Sequence, residues 1–306
     1  MLSIITRLKK FYHYLFIELA DPRTNDWFLV KHPIIWIIIP FYFYMVKVVG
    51  PRFMKHREPY QLKTILILYN FIQVLVSIFL FREGFYYGWF NGYSFRCQPV
   101  DFSNNPKALR AASACFYYYM AKISELLDTV FFILRKKDNQ VTLLHVYHHS
   151  IMPLISWGAT KYYPGGHGTF IGFINSFTHI IMYFYYMLAA MGPKYQKYLW
   201  WKKYITTMQL VQFCIIFLHA MQLFINDCDF PSWTGLLVMP NVIFFYYLFS
   251  NFYKKAYSLA RRHHPKKSRK VSIGLGRYSN DIGKDIDCTV TTTRKVSIQL
   301  SMKKRK

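Results

Sequence analysis

The chain has 306 residues, of which 53% are hydrophobic and 20% aromatic, and it carries a formal net charge of +25. The apolar residues form long runs, and lysines and arginines cluster at the ends of these runs, which is typical of a polytopic membrane protein. This segregation argues against nucleic-acid binding, which favours a basic face along an amphipathic surface. The five cysteines show no metal-ligand spacing.

Seven apolar runs have about the length needed to cross a bilayer. Residues 1–33 mix aromatic and charged side chains, which predicts an interfacial N-terminal segment on the lumenal side. Residues 34–258 are predicted to form an all-α membrane domain of seven transmembrane helices. Residues 259–306 are predicted to be a basic, disordered cytosolic tail. The predicted spans are 34–49, 64–81, 111–134, 141–159, 169–191, 204–225 and 233–253.

The distribution of basic residues predicts how these spans are oriented. The loops after spans one, three and five are short and basic, which places them and the C-terminus in the cytosol. Cys97 and Cys228 then fall in non-cytosolic loops, and the oxidising lumen predicts a disulfide between them. The chain ends at residues 303–306 with Lys-Lys-Arg-Lys, which looks like a di-lysine retrieval signal and predicts the endoplasmic reticulum membrane. A generic basic ending is the alternative.

A histidine cluster opens the fourth span. His145, His148 and His149 stand at positions i, i+3 and i+4, so they share one face of a helix. Ionisable residues at membrane depth are candidates for function by default. The cluster is therefore the first candidate for the site of the chemistry.

The third span is unusually polar, because Lys122, Glu125 and Asp128 lie on one stripe of it. At a rise of about 1.5 Å per residue, His148, His179 and Lys122 lie about 10, 18 and 20 Å from the cytosolic ends of their spans. We therefore expect one buried polar chamber, open to the cytosol. It is expected to hold His145, His148, His149, His179, Lys122, Glu125 and Asp128. Buried charges must be paired, so Lys122 is expected to pair with Glu125 or Asp128.

Histidines in such a chamber have three interpretations. As metal ligands they indicate a membrane desaturase or hydroxylase, although that pattern needs several histidine clusters and this chain has one HxxHH box. As packed or hydrogen-bonded core residues they indicate only structure, which is compatible with a non-enzymatic seven-span receptor or transporter. As a nucleophile or general base they indicate an enzyme.

The cytosolic mouth of the predicted chamber suggests a substrate. Arg135, Lys137, Lys202 and Lys203 flank it and could bind phosphates, although a solvated positive-inside rim explains them equally well. Below them the spans are rich in Phe, Tyr, Ile and Leu, which could enclose a long apolar chain or simply face lipid. A phosphorylated head and an acyl tail together describe an acyl-CoA.

Four motifs at these positions resemble the ELO family, the fatty acid elongases of the endoplasmic reticulum. The resemblance covers about residues 27–258, in order and at family spacing. The motifs are KISELLDTVFFILRKK at 122–137, QVTLLHVYHHS at 140–150, NSFTHIIMYFYY at 175–186 and KKYITTMQLVQF at 202–213.

This resemblance implies the first step of elongation, in which a long-chain acyl-CoA and malonyl-CoA condense to 3-oxoacyl-CoA, carbon dioxide and CoA. It implies a narrow acyl-chain tunnel and no metal or other cofactor. His148 is implied as the nucleophile that forms an acyl-imidazole, with His145 and His149 supporting it and His179 assisting decarboxylation. The residues implied to bind substrate are Lys122, Arg135, Lys137, Gln140, Tyr185, Lys202, Thr206, Gln209 and Arg262. Association with the reductases and dehydratase of the cycle, or in homo- or hetero-oligomers, is compatible with it.

Overall fold

The apolar runs fold as helices, because a helix satisfies its backbone hydrogen bonds within one segment even in lipid. The computed structural model describes residues 2–258, and these residues contain no strand. The α-helices are α1 (Leu2–His13), α2 (Ile35–Tyr44), α3 (Gly50–Met54), α4 (Lys63–Gly84), α5 (Pro106–Ser124), α6 (Leu127–Leu134), α7 (Leu143–Tyr162), α8 (Thr169–Ala190), α9 (Pro193–Gln196), α10 (Lys202–Ile225) and α11 (Trp233–Tyr253).

Four helical segments of the described residues are long and apolar enough to cross a membrane. They are Ile35–Met54, Lys63–Trp89, Lys202–Ile225 and Trp233–Tyr257, where short π-helical turns extend α2, α4 and α11. The other three predicted spans coincide with α5 and α6, with α7 and with α8. These helices carry the charged and imidazole side chains of the predicted chamber.

Helix α7 begins where a threonine caps it. The Thr142 hydroxyl accepts a hydrogen bond from the backbone N–H of His145, which satisfies one of the free donors of the first turn. This start places His145, His148 and His149 in the first two turns of α7. The histidine face is therefore set by the position of the cap.

The third predicted span is broken into α5 and α6 by a turn at Glu125 and Leu126. Two side chains of α4 brace the end of α5. Gln73 Nε2 donates to Ser124 Oγ at 2.9 Å, and the Tyr69 hydroxyl donates to the Ser124 carbonyl at 3.4 Å. The break thus keeps hydrogen-bond partners inside the protein, as backbone at membrane depth requires.

The other end of the bundle is covered by connecting segments. Cys97 and Cys228, the pair predicted from the topology, form a disulfide that joins the α4–α5 connection to the α10–α11 connection. Gly166, at a φ of +61°, lies against the first of these segments, and a Cβ there would stand 2.9 Å from the Gln98 carbonyl oxygen. Only glycine fits this conformation and this close approach without strain.

The predicted N-terminal segment contains α1, whose side chains are largely exposed. Asp21 and Arg23 form a buried ion pair after it, and the backbone N–H of Asp21 donates to the Lys161 carbonyl at the end of α7. The predicted tail from residue 259 onward, with Arg262 and the di-lysine ending, lies outside the described residues.

Candidate active site

A buried ion pair forms the centre of the site. Lys122 Nζ lies 2.8 and 3.0 Å from the two carboxylate oxygens of Glu125, and both side chains are almost completely inaccessible. Lys122 also donates to Asn175 Oδ1 at 2.9 Å, and the Tyr118 hydroxyl donates to the same oxygen at 3.0 Å. The lysine is therefore fixed between α5 and α8. The sequence left its partner open, and the structure selects Glu125.

His179 joins this ion pair from α8. Its Nδ1 lies 3.2 Å from Glu125 Oε1 and 3.5 Å from Lys122 Nζ. The shorter contact is to an acceptor, so we assign the proton of the neutral ring to Nδ1. Nε2 then keeps its lone pair and faces away from the carboxylate.

Asp128, the other carboxylate that the sequence offered to Lys122, pairs with a tyrosine instead. Its Oδ2 accepts a hydrogen bond from the Tyr183 hydroxyl at 2.9 Å, which links α6 to α8. Tyr183 is fully buried and its ring packs edge-on against Tyr69 of α4. The carboxyl group thus ties three helices together beside the Lys122–Glu125 pair.

His145 is held by a chain of hydroxyl groups. Its Nε2 lies 2.8 Å from Thr129 Oγ1, which lies 2.7 Å from the Tyr42 hydroxyl. Thr129 and Tyr42 are both buried, so this chain crosses from α7 through α6 to α2 without reaching solvent. One ring nitrogen of His145 is thereby committed to positioning.

His148 and His149 differ from the other two histidines, because within residues 2–258 their side chains contact neighbouring rings and form no hydrogen bond. The His149 ring is buried and lies between its neighbours, with centroids 4.2 Å from His145 and 5.1 Å from His148. The less buried His148 ring contacts Phe245 of α11 at 5.4 Å. Of the four predicted catalytic histidines, His148 is thus both unpaired and accessible.

The two halves of the site lie on helices that pack against each other. Helix α5, which carries Lys122, packs on both α7 and α8, which carry the four histidines. The structure therefore brings the residues of the predicted chamber together from α5, α6, α7 and α8. In the part of the chain that the structure describes, no group of three or more His, Cys, Asp or Glu side chains is arranged to hold a metal ion.

Four of the predicted CoA-binding residues lie at helix ends or in the connection between α6 and α7. Lys137, Gln140 and Lys202 are exposed, and Arg135 is half-buried where α6 ends. Tyr185, Thr206 and Gln209 lie within α8 and α10, where one contact or burial fixes each side chain. Tyr185 packs edge-on against Trp201, Gln209 Nε2 donates to Met182 Sδ, and Thr206 is buried.

Four positioning residues were not predicted as site residues. Asn175 stands four residues before His179, one turn along the same helix, so a search for polar residues on the histidine face would find it. Thr129 directly follows Asp128, but its role depends on His145, which is 16 residues away. Nothing in the sequence distinguishes Tyr118 and Tyr42 from the other tyrosines, of which the chain has 26 in all.

The fold and site together define a class, a helical membrane protein with a histidine cluster beside a buried lysine–glutamate pair. Residues 27–267 match the ELO (GNS1/SUR4) family. Very long chain fatty acid elongase 7 of Drosophila melanogaster is 52% identical over 240 residues, which cover 78% of this chain and 73% of the relative. The rat protein of that name is 45% identical, over 85% of this chain and 93% of its own. Human very long chain fatty acid elongase 4 is 43% identical over 87% and 84%. The chain belongs to the ELO family.

Proposed function

We propose that this protein is a fatty acid elongase that condenses a long-chain acyl-CoA with malonyl-CoA to give 3-oxoacyl-CoA, carbon dioxide and CoA. The observation that carries the proposal is the contrast among the histidines. His145 and His179 are held by hydrogen bonds to Thr129 and Glu125, whereas within residues 2–258 His148 has only ring contacts, with His149 and Phe245. A nucleophile needs a free ring nitrogen in a site where its neighbours are held in place.

In the first step, a ring nitrogen of His148 attacks the acyl-CoA carbonyl carbon. The carbon–sulfur bond breaks, the ring loses its N–H proton, and CoA leaves as the thiol. The product is a neutral acyl-imidazole, which is a reactive acyl donor. The two-step route replaces one difficult encounter with two easier ones.

In the second step, malonyl-CoA loses carbon dioxide and its α-carbon attacks the acyl-imidazole carbonyl. The carbon–nitrogen bond breaks and the imidazole regains its proton from water, so the whole reaction consumes one proton. Negative charge develops on the thioester oxygen of malonyl-CoA as carbon dioxide leaves. The Lys122 ammonium carries the nearby fixed positive charge that favours this enolate. His179 keeps Nδ1 turned to Glu125, and its Nε2 would donate a hydrogen bond to the same oxygen when the ring is protonated on both nitrogens.

The proposal includes a path for both ends of the substrate. The acyl chain occupies a narrow tunnel among seven membrane-crossing helices, the four apolar segments together with α5 and α6, α7 and α8. The CoA phosphates and adenosine occupy the cytosolic rim. The residues proposed for that path are Arg135, Lys137, Gln140, Tyr185, Lys202, Thr206, Gln209 and Arg262.

The proposed location is the endoplasmic reticulum membrane with the C-terminus in the cytosol. The basic loops on one side of the helices and the disulfide on the other support this orientation. In this location the product would pass to the reductases and dehydratase that complete the cycle, in a homo- or hetero-oligomeric assembly.

A burst of CoA tests the covalent step. Purified protein given acyl-CoA without malonyl-CoA is expected to release about one equivalent of free CoA per site and then stop. Addition of labelled malonyl-CoA is expected to produce labelled 3-oxoacyl-CoA. His148→Ala should abolish the burst, and His56→Ala, at an exposed histidine before α4, is the matched control. Labelled product without any burst would overturn the acyl-histidine route, and failure to form product would overturn the elongase proposal.

A further inference from the structure

A second cluster of buried polar groups lies away from the site described above. His167, in the turn between α7 and α8, stacks on His219 of α10 with ring centroids 3.8 Å apart and planes 8° apart. Trp89, at the end of the π-helical turn after α4, packs edge-on against His219 at 5.1 Å. All three side chains are at least nine-tenths buried. Phe170 and Phe230 complete an aromatic surround.

Each of these three side chains has a nitrogen without a hydrogen-bond partner among residues 2–258. The atoms are Trp89 Nε1, His167 Nδ1 and His219 Nε2. His167 Nε2 lies 3.0 Å from the backbone carbonyl of His219, so it carries the proton of the neutral ring. His167 Nδ1 is therefore a bare acceptor, while Trp89 Nε1–H is a bare donor. Leaving such groups buried and unmatched is unfavourable, so each of them calls for a partner.

Trp89 and His167 both pack against His219, so this donor and this acceptor belong to one cluster, and a single group that served both would need a particular chemistry. The group must accept a hydrogen bond from an N–H and donate one to a ring nitrogen, and it must be small enough to fit among aromatic rings. A hydroxyl group does both, whereas a methyl group does neither and a carboxylate has no proton to donate. A water molecule can also accept and donate hydrogen bonds in this way. The location of the cluster relative to His148 is therefore the evidence that favours a hydroxyl group of the substrate.

The position of the cluster favours the tail of the substrate. His219 lies 17 residues into α10 and His148 five residues into α7, and both helices begin at the cytosolic side in the proposed orientation. With about 1.5 Å per residue, the cluster is about 18 Å deeper than the nucleophile. An acyl chain attached at His148 and extending away from the cytosol would end at this depth.

We propose that Trp89, His167 and His219 form a binding site for a hydroxyl group at the far end of the acyl chain, so that the protein accepts ω-hydroxyacyl-CoA substrates. This inference rests on the proposed elongase function and deepens it by naming a substrate class. The aromatic surround would close the tunnel around the chain terminus, and the three nitrogens would satisfy its hydroxyl group.

The test is a matched ladder of saturated acyl-CoAs, each with and without an ω-hydroxyl, elongated with labelled malonyl-CoA. The measured quantity is the ratio of kcat/KM for the hydroxylated substrate to that for the plain substrate of equal length. For wild-type protein the ratio is expected to exceed unity by about 3- to 10-fold, which corresponds to one or two net hydrogen bonds. The preference should be confined to the one or two chain lengths that place the terminus at the cluster.

Trp89→Phe removes the bare donor and His167→Phe removes the bare acceptor, and each variant keeps an aromatic ring. Both variants are expected to bring the ratio to unity or below, because the buried hydroxyl group would then lose one of its two partners. Trp157→Phe is the matched control, since Trp157 is equally buried and also has an unpartnered Nε1 but packs in a different cluster, on Phe16 and Tyr162. Because each ratio is taken within one protein preparation, reduced folding of a variant does not change its meaning.

The outcomes separate this inference from the proposed function. Elongation of plain substrates with a wild-type ratio at or below unity, or with a ratio that both variants leave unchanged, overturns the hydroxyl site and assigns the nitrogens to a buried water molecule. Absence of elongation with every plain acyl-CoA overturns the proposed function itself. A length-specific preference that only the cluster variants abolish supports the site.

Discussion

Glu125 Oε1 lies 3.2 Å from His179 Nδ1 and accepts a hydrogen bond from Lys122 Nζ at 2.8 Å. One carboxylate thus neutralises a buried lysine and fixes the tautomer of a histidine on another helix. The two tasks are separable in principle, because only the first needs the negative charge. The carboxylate is therefore the part of the site where a small chemical change should have the largest effect.

Glu125→Gln keeps the shape of the side chain and removes its charge. We expect elongation to fall on the order of 100-fold or more, because Lys122 loses its counter-ion while the amide oxygen can still accept a hydrogen bond from His179 Nδ1. The melting temperature should fall as well, since breaking a buried pair costs about 3–5 kcal/mol. Glu58→Gln, at an exposed position before α4, is the control. Wild-type turnover in Glu125→Gln would remove Glu125 from the mechanism.

Thr129→Val tests the hydroxyl chain that holds His145. Valine has nearly the shape of threonine but cannot bond His145 Nε2 or the Tyr42 hydroxyl. We expect kcat to fall about 5- to 10-fold with little change in KM, because the loss of one positioning hydrogen bond costs about 1 kcal/mol. Thr129→Ser restores the hydroxyl and should recover most of the rate. Equal kcat values for the valine and serine variants would leave Thr129 with a packing role only.

Reduction of the disulfide should destabilise the protein without reaching the site directly. Cys97 and Cys228 are 131 residues apart, so their bond constrains a long stretch of the unfolded chain. Removal of a native disulfide typically costs about 2–5 kcal/mol. We expect a lower melting temperature for Cys97→Ser and for Cys228→Ser, and no further drop when reductant is added to either. Cys214→Ser, at an exposed free cysteine of α10, should behave as wild type.

Chelation distinguishes the proposed function from the metal-dependent alternative. The proposed condensation uses only protein groups, so treatment with a strong chelator is expected to leave malonyl-dependent elongation unchanged. The measurement is elongation rate before and after chelation, together with metal analysis of the purified protein. Stoichiometric iron, with activity lost on chelation and restored by iron, would instead favour a membrane desaturase or hydroxylase.

Local spacing predicted the parts of the site that depend on one helix. The positions of His145, His148 and His149 on one face follow from their spacing and from the Thr142 cap. The pairing of Lys122 was narrowed to two carboxylates for the same reason. Periodicity could not choose between them, because Asp128 lies beyond the break, in α6, and accepts a hydrogen bond from Tyr183 instead.

Contacts between segments that are distant in the chain could not be predicted from the sequence. Tyr42 joins the site through Thr129 across 87 residues, and Tyr183 reaches Asp128 across 55. Each tyrosine lies in an aromatic run in which neighbouring rings look equivalent. Only the packing of α2 and α8 on α6 decides which hydroxyl finds a partner. Hydropathy alone identifies four of the seven predicted crossings. The other three carry the buried polar groups of the site, which lower their mean hydropathy.

Lys122 and Glu125 are three residues apart on the same stretch of chain. Their pairing therefore has a consequence for how the protein is made. A lone charged residue at the centre of a nascent membrane segment costs about 2.5–3.5 kcal/mol to insert. Because the counter-ion emerges from the ribosome within one helical turn, the segment can enter the bilayer already neutralised. It need not wait for Asn175, the next partner of the lysine, which is synthesised 53 residues later.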